Sequence, residues 1–491
     1  MIALTPTQRE AIPDDVVDLC RRLHEHGERG WIVGGCIRDV LLGRPISDWD
    51  VATSATPDRV QRIFRKVIPT GIEHGTVTVL HRGTPYEVTT LRGEGAYTDG
   101  RRPNEVFFVT EIDRDLARRD FTVNAIAYDP LDDKLIDPLG GLADLEAKLL
   151  RAVGVPAERF GEDGLRILRG ARFTATLGFE LEAGTEAAFA GAIGVFTKVS
   201  RERVRDEWLK AMKAQRPSVA FDVMRRTGIL DVTLPELTQQ YGCEQNRWHA
   251  YDVWHHTMAV LDAVTGNAVD KLAGLLHDVA KPRTRELSPK TKDYTFYHHE
   301  RVGADMADAF LREYRFSNDE RQQVVHLVRH HLVCYEPSWT DSAVRRFVQR
   351  VGRDGVDPLL RLAHADAIGK GRPVEDELAK LAELRARVDA LMAAGAALST
   401  GDLTVDGRDV LARLDGRGGP VVGEILRELL EAVLEDPALN ERDQLLRALD
   451  QVGGAPRPWR GAPQERGEGM SATRPVWCAC TSTTCPTWTT A

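Results

Sequence analysis

Apolar and polar residues alternate with two different periods along this chain. From Asp14 to Glu25 the apolar positions recur at helical spacing, which predicts a short amphipathic helix. In RGWIVGGCIRDVLLG, an apolar run from Trp31 to Val33 leads into Gly34 and Gly35, and a mixed pattern then resumes to Leu42. That order reads as strand, glycine turn and helix. PISDWDVAT predicts a short strand ended by a turn over residues 53–57, with a helix running on through Phe64. GTVTVLHRG and TPYEVTTLR are β-rich runs around Arg82-Gly83-Thr84, the pattern of a hairpin.

Strands and helices therefore alternate over residues 1–150, a small mixed-sheet head with an antiparallel component. From Phe160 to about residue 450 the pattern is almost wholly helical, and the fold class is α+β. A break at Thr233-Leu234-Pro235-Glu236-Leu237 and a histidine-rich stretch starting near His249 divide the helical part into residues 151–240, 241–370 and 371–452. The run from Glu375 to Ala396 predicts a long helix with a charged outer face. Residues 453–491 are rich in Gly, Pro, Arg, Thr and Trp without periodicity and predict a disordered tail.

The chain of 491 residues is 42% hydrophobic and 28% charged, which fits several globular domains and excludes global disorder. No run approaches twenty apolar residues and the start lacks a secretory pattern, so a cytoplasmic protein with no membrane partner is expected. Seven cysteines are scattered; three, Cys478, Cys480 and Cys485, lie in the final segment, and the rest read as reduced thiols. A net charge of −9 argues against indiscriminate coating of nucleic acid, though a local basic groove remains compatible with it.

Chemistry enters at Asp48 and Asp50. On a strand, residues two apart share a face, so the pair would present two carboxylates side by side and need a cation between them. Magnesium would satisfy them and an incoming triphosphate together. Gly34 and Gly35 allow backbone amides close to phosphate at a helix N-terminus, and Arg38 stands one turn in. Glu87, on the second hairpin strand, is the nearest candidate for a third carboxylate. Asp163 and Arg166, three apart, would share a helical face and offer acceptors and donors to a base edge.

The run GGCIRDVLLGRPISDWDVATSATP resembles the opening motif of the bacterial class of tRNA CCA-adding enzymes and poly(A) polymerases, within the polymerase-β-like nucleotidyltransferases. EHGTVTV, EVTTLR, DGRRP, RRDFTVNAIAYD, DPLGGLADL and EDGLRILRGARF follow in the family's order, so the resemblance covers about residues 28–450. It implies a nucleotidyltransferase head and a mostly helical, RNA-binding body. It implies Gly34, Gly35 and Arg38 on triphosphate, and Asp48 and Asp50 as magnesium ligands, with Glu87 the added catalytic candidate. Asp99, Gly100 and Arg101 would form a flexible loop that switches the site from CTP to ATP. Arg119, Asp120 and Asn124 would hold ribose and triphosphate, and Asp163 and Arg166 would read the base. Arg169 and Arg172 are counted with the nucleotide-binding set. Other cations between Phe160 and Arg216, Arg203 among them, would line a groove for the acceptor stem.

WHHT, LLHDVAKP, YHHE, RHH and AHAD resemble the ligand order of the HD-type metal phosphohydrolases. The resemblance implies an all-helical HD domain at residues 241–370, with His256, His277, Asp278 and Asp366 as core ligands. His299 and His331 would hold a second metal or contact a phosphate. Such a mixed set suits Mn2+, Ni2+, Co2+, Zn2+ or Fe better than an all-oxygen magnesium site. The leading expectation is CCA addition to the tRNA 3′ end from CTP and ATP, with an added phosphohydrolase activity. The alternatives are terminal A addition, poly(A) synthesis, or a phosphohydrolase of nucleotide phosphates alone; the oligomeric state is left open.

Overall fold

The computed structural model describes residues 3–72, 75–94, 106–414 and 418–452. Asp99, Gly100 and Arg101, and the tail from residue 453 with its three cysteines, lie outside the described residues. The chain divides into two compact units, Met1–Thr238 and Gln239–Ala491.

The first unit is built on a seven-stranded mixed sheet. Helix α1 (Asp14–Glu25) precedes β1 (Gly30–Val33), and α2 (Gly35–Leu41), β2 (Asp50–Thr53) and α3 (Pro57–Ile63) follow. Then come β3 (Val67–Gly71), β4 (Thr76–His81), β5 (Thr84–Thr90), the helix α4 (Ile112–Ala117), β6 (Ala127–Asp129) and β7 (Lys134–Ile136). The strand order is β3-β4-β5-β2-β1-β6-β7, antiparallel throughout except for β2 beside β5. Helix α1 packs so closely on β1 that a Cβ at Gly30 would lie 2.9 Å from Leu23 Cδ1. The hairpin β4–β5 turns where Arg82 and Gly83 both take positive φ, the backbone that matches strand twist in a two-residue turn.

The expected strand, glycine turn, helix and hairpin are all present. The sequence reading missed β3, the β6–β7 pair and a five-residue helix, Pro6–Glu10, all too short to show a period. One expectation is corrected: Asp48 precedes β2 and is not on the strand, so the two-residue argument for a shared face does not hold.

Helices α5 (Pro156–Glu162), α6 (Leu165–Leu177), α7 (Ala183–Phe196), α8 (Arg201–Ala211) and α9 (Ser218–Arg226) follow in the first unit, which also has short helices at Gly141–Glu146, Ile229–Thr233 and Pro235–Thr238. Gly170 on α6 lets Phe121 and Phe189 close on the helix, since a Cβ there would meet Phe189 Cζ at 2.6 Å. The second unit is nearly all helical, apart from a small two-stranded pairing of Glu286–Leu287 with Tyr294–Thr295. Its helices include α10 (Val253–Ala263), α11 (Ala268–Leu276), α12 (Lys281–Thr284), α13 (His299–Glu313), α14 (Asn318–His330) and, further on, α15 (Arg353–Gly369) and α16 (Glu375–Ala393). Among the described residues no helix is long and apolar enough to cross a membrane.

Candidate active site and candidate metal centre

A cleft of about 650 Å³ opens over the sheet of the first unit, and Gly35, Arg38, Asp50, Glu87, Arg119, Asp120, Asn124, Asp163, Arg166 and Arg169 all line it. Parallel pairing of β2 with β5 sets Asp50 directly beside Glu87. Alternation does the rest: Val77, Val79, Tyr86 and Val88 are buried, which turns Glu87 to the opposite face. Burial raises the proton affinity of both carboxylates, and repulsion within the group that includes Asp48 adds to it, opposed at Asp50 by Arg119. Asp48 is exposed and accepts a hydrogen bond from Ser47 Oγ at 2.9 Å.

Gly34 takes φ +79°, and a Cβ there would stand 2.5 Å from Arg119 Nη1. Glycine is thus required twice, for the turn and for the seat of the arginine. Arg119 also donates to the Asn124 carbonyl at 3.3 Å, while its buried Nε has no hydrogen-bond partner among the described residues. Arg38 donates to Asn124 Oδ1 at 2.6 Å, Asn124 Nδ2 donates to Asp120 Oδ1 at 3.1 Å, and Arg169 Nε donates to Asp120 Oδ2 at 2.7 Å. Burial alone would raise Asp120, but Arg169 and Asn124 hold its carboxyl far below the usual range. This chain of bonds joins α2 to α6. Arg172 lies beside it, donating to Glu207 of α8 at 2.5 Å and stacking 3.9 Å from the centre of the Phe173 ring.

The proposed i,i+3 pairing of Asp163 with Arg166 is not formed. Asp163 sits between α5 and α6 with extended backbone, φ −142° and ψ 109°, so the two do not share a helical face. Arg203 of α8 donates to Asp163 Oδ2 at 2.8 Å, and Arg166 is engaged by Glu162 and by the carbonyls of Arg159 and Arg118.

In the second unit, side chains from five places meet. His256 (α10), His277 and Asp278 (after α11), His299 (opening α13) and His331 (closing α14) are all buried, and Asp366 of α15 joins them. His256 Nε2 and His277 Nε2 are 3.2 Å apart, as are His299 Nε2 and His331 Nε2. Asp278 spans the two pairs. Its Oδ2 lies 3.3 and 3.1 Å from the first and its Oδ1 3.3 and 3.8 Å from the second. Asp366 Oδ1 is 3.1 Å from His256 Nε2.

Two nitrogens bound to one ion at about 2.1 Å would themselves be about 3.0 to 3.4 Å apart at the angles of such sites, so both pairs fit a metal. His277, His299 and His331 each place Nδ1 2.7 Å from a carbonyl three residues earlier, those of Gly274, Phe296 and Val328. Each such bond makes Nδ1 the donor and leaves Nε2 with a free lone pair, the tautomer a metal ligand needs. Both groups, His256-His277-Asp278 and Asp278-His299-His331, are therefore able to hold an ion.

Three family models match stretches of this chain. The model for the poly A polymerase head domain matches residues 30–151, and one described as "Probable RNA and SrmB- binding site of polymerase A" matches 178–241. A model for domain 2 of tRNA nucleotidyltransferases matches 295–449. The CCA-adding enzyme of Streptococcus suis is 32% identical over 447 residues, 89% of this chain and 95% of that protein. The chain belongs to the CCA-adding enzyme family. The CCA-adding enzyme of Geobacillus thermodenitrificans is 33% identical over 428 residues, 87% of this chain and 94% of its own length. The crystal structure of the Bacillus stearothermophilus CCA-adding enzyme in complex with CTP superposes with a TM-score of 0.66 at 27% identity, covering 91% of this chain and 98% of that one.

As a CCA-adding enzyme the protein is a tRNA nucleotidyltransferase that extends the tRNA 3′ end from CTP and ATP. Its cleft holds two residues the sequence reading did not single out, Asp115 and Arg118, and also Arg203, which that reading had assigned to a groove for the acceptor stem. Asp115 of α4, almost fully buried, accepts from Arg118 Nη2 at 2.7 Å and from Arg119 Nη2 at 3.4 Å. The Asp and Arg at i,i+3 and i,i+4 in DRDLARRD were the available signal. At the histidine centre, the ring of His249 stands edge-on 5.0 Å from that of His256, and Lys281 Nζ lies 2.6 Å from Asp278 Oδ2.

Proposed function

We propose that this chain adds nucleotides to tRNA by a magnesium-dependent reaction centred on Asp50, with Asp48 and Glu87 beside it. The observation that carries the reading is the β2–β5 register, which lays Asp50 against Glu87 at the edge of an arginine-lined cleft. With Asp48 raising the proton affinity of Asp50, and Asp50 and Asp48 that of Glu87, the three carboxylates are an unbalanced anionic group, and that fits a divalent cation. Bound there, magnesium supplies charge neutralisation for the triphosphate and an acidified 3′ hydroxyl.

The chain's own residues do the placing. The Gly34-Gly35 turn and Arg38 face the phosphates, and the unpartnered Nε of Arg119 is a donor for a phosphate oxygen. Asp120 and Asn124, locked together, stand where a ribose and triphosphate would be held. Asp163 and Arg166 face the base, with Arg169 and Arg172 behind them. Cytosine and adenine both carry an acceptor ring nitrogen beside an exocyclic amine, so a carboxylate and a guanidinium accept either base and reject guanine and uracil. Incorporation of each of the four nucleotides onto tRNAs ending before the first C, after CC, and after CCA tests the reading. Addition of CTP twice and ATP once is expected, whereas A alone or a long A tract would replace it with terminal A addition or poly(A) synthesis.

A second reading concerns residues 241–370. The bridging position of Asp278 and the three carbonyl-tethered imidazoles support a two-metal centre of the HD type that hydrolyses phosphoesters. Mn2+, Ni2+, Co2+, Zn2+ and Fe suit its ligands, and such ions supply an acidified water as nucleophile. Release of phosphate from nucleotides by protein loaded with each metal, against metal-free protein, is the test.

A further inference from the structure

We propose that Thr76 and Thr89 form the subsite for the last ribose of the RNA being extended, and that their paired hydroxyls recognise its 2′-hydroxyl. The inference rests on the reading of Asp50, Asp48 and Glu87 as the magnesium centre of nucleotide addition. The sheet itself then tells an RNA end from a DNA end.

The strand order β4-β5-β2-β1 gives the cleft two sides. On one side of Asp50 lies β1, which runs into the Gly34-Gly35 turn with Arg38 and Arg119 near it, the proposed seat of the triphosphate. In-line displacement sets the attacking oxygen opposite the leaving pyrophosphate. With the phosphates over the end of β1, the attacking 3′-hydroxyl comes in from the side of β5 and β4. There the cleft is lined by Glu87, Thr89 and Thr76.

Strand alternation puts these three on one face. Val77 of β4 and Val88 of β5 are buried on the other, which leaves Thr76, Thr78, Glu87 and Thr89 on the cleft side. Thr76 stands directly across from Thr89 in the antiparallel register, and their Oγ1 atoms are 3.0 Å apart. Thr89 is two residues along β5 from Glu87, about 6.6 Å at the spacing of a strand. A terminal ribose whose 3′ oxygen reaches a metal beside Glu87 carries its neighbouring 2′-hydroxyl toward Thr89. One threonine hydroxyl donates to the other, so the pair keeps one proton to donate and lone pairs to accept. The 2′-hydroxyl is both donor and acceptor, and a deoxyribose offers neither. Thr78 provides the contrast. It lies across from Glu87, but its Oγ1 is 3.0 Å from that of Thr70 on the edge strand β3, and neither of these two lines the cleft.

The experiment uses the full chain with Mg2+ and follows ATP addition to two tRNAs ending in CC, identical except that the last cytidine of one is 2′-deoxy. The kcat/KM for each RNA and the KM for ATP are measured for the parent, T89V, T89S, T76V and T78V. The parent is expected to prefer the ribose end. T89V, of the same shape without the hydroxyl, should narrow that preference by about three- to tenfold, the worth of one neutral hydrogen bond. T89S should keep it, and T76V should narrow it by a smaller factor. In T89V the KM for ATP should stay at the parent value, since the incoming nucleotide is held on the other side of Asp50; a general disturbance of the sheet would move both. T78V removes a hydroxyl from the same face and should keep the parent's preference.

A parent that extends both ends equally well overturns the subsite. So does a T89V with the parent's full preference, or a T78V that narrows it as much as T89V does. If T89V does not fold, T76V with the parent's preference overturns it. A parent that extends neither end refutes instead the reading of the Asp50 centre on which the subsite rests.

Discussion

Asp50 is partly buried beside the exposed Glu87, two like charges of which Arg119 opposes the first, and this has two measurable consequences. Because burial and repulsion raise the folded-state proton affinity of Asp50, its contribution to stability is full below the unfolded value of about 3.9 and is lost as pH rises through the folded value. Asp50→Asn should therefore raise the unfolding midpoint at pH 7 without magnesium, show no gain in strong acid, and abolish nucleotide addition. Thermal unfolding at the two pH values, with a primer-extension assay, checks all three. Arg166→Ala should lower discrimination against GTP and UTP by about 1 to 3 kcal/mol, the worth of a good base-edge pair. Retention of full selectivity, read from single-nucleotide incorporation, would move selection to Asp163 and Arg203. Residue types were legible in the sequence because motifs follow one another in a recognisable order, as at Gly34, Asp50 and His277. Partners were not: that Arg203 holds Asp163 depends on how α8 folds back over α6, forty residues later.

At the level of elements, α6 and α8 are joined through Glu207, which is nearly fully buried and accepts from Arg172 at 2.5 Å and from Lys210 at 3.0 Å. Burial alone would raise its carboxyl, but Arg172 and Arg169 hold it below the usual range. The stability it gives is thus present above about pH 4.3 and lost as pH falls through the folded value. Glu207→Ala leaves Arg172 buried without its anion and should cost about 3 to 5 kcal/mol. Denaturant unfolding at pH 7 measures this, and the loss should shrink on acidification. Helices with a strong period, Asp14–Glu25 among them, were readable to the residue. Asp163 was not, because a three-residue spacing has meaning only inside a helix, and the short break between α5 and α6 leaves no mark on the apolar pattern.

For the molecule as a whole, the two centres lie in separate compact units and differ in chemistry, carboxylates among arginines in one and imidazoles around Asp278 in the other. Changing His277 and Asp278 together to Ala should abolish uptake of Mn2+ and Ni2+ at the second centre and any phosphate release. CTP and ATP addition should persist at close to the parent rate. Loss of addition in a double variant whose circular dichroism is unchanged would contradict independence. Within the first unit, by contrast, the bonds from Arg38 through Asn124 and Asp120 to Arg169 leave no such independence between the Gly34-Gly35 turn and α6. Each bond in such a chain polarises the next. Energies at its two ends then cease to be additive, and a nucleotide held as proposed, by its phosphates at one end, would arrive at the other already weighed.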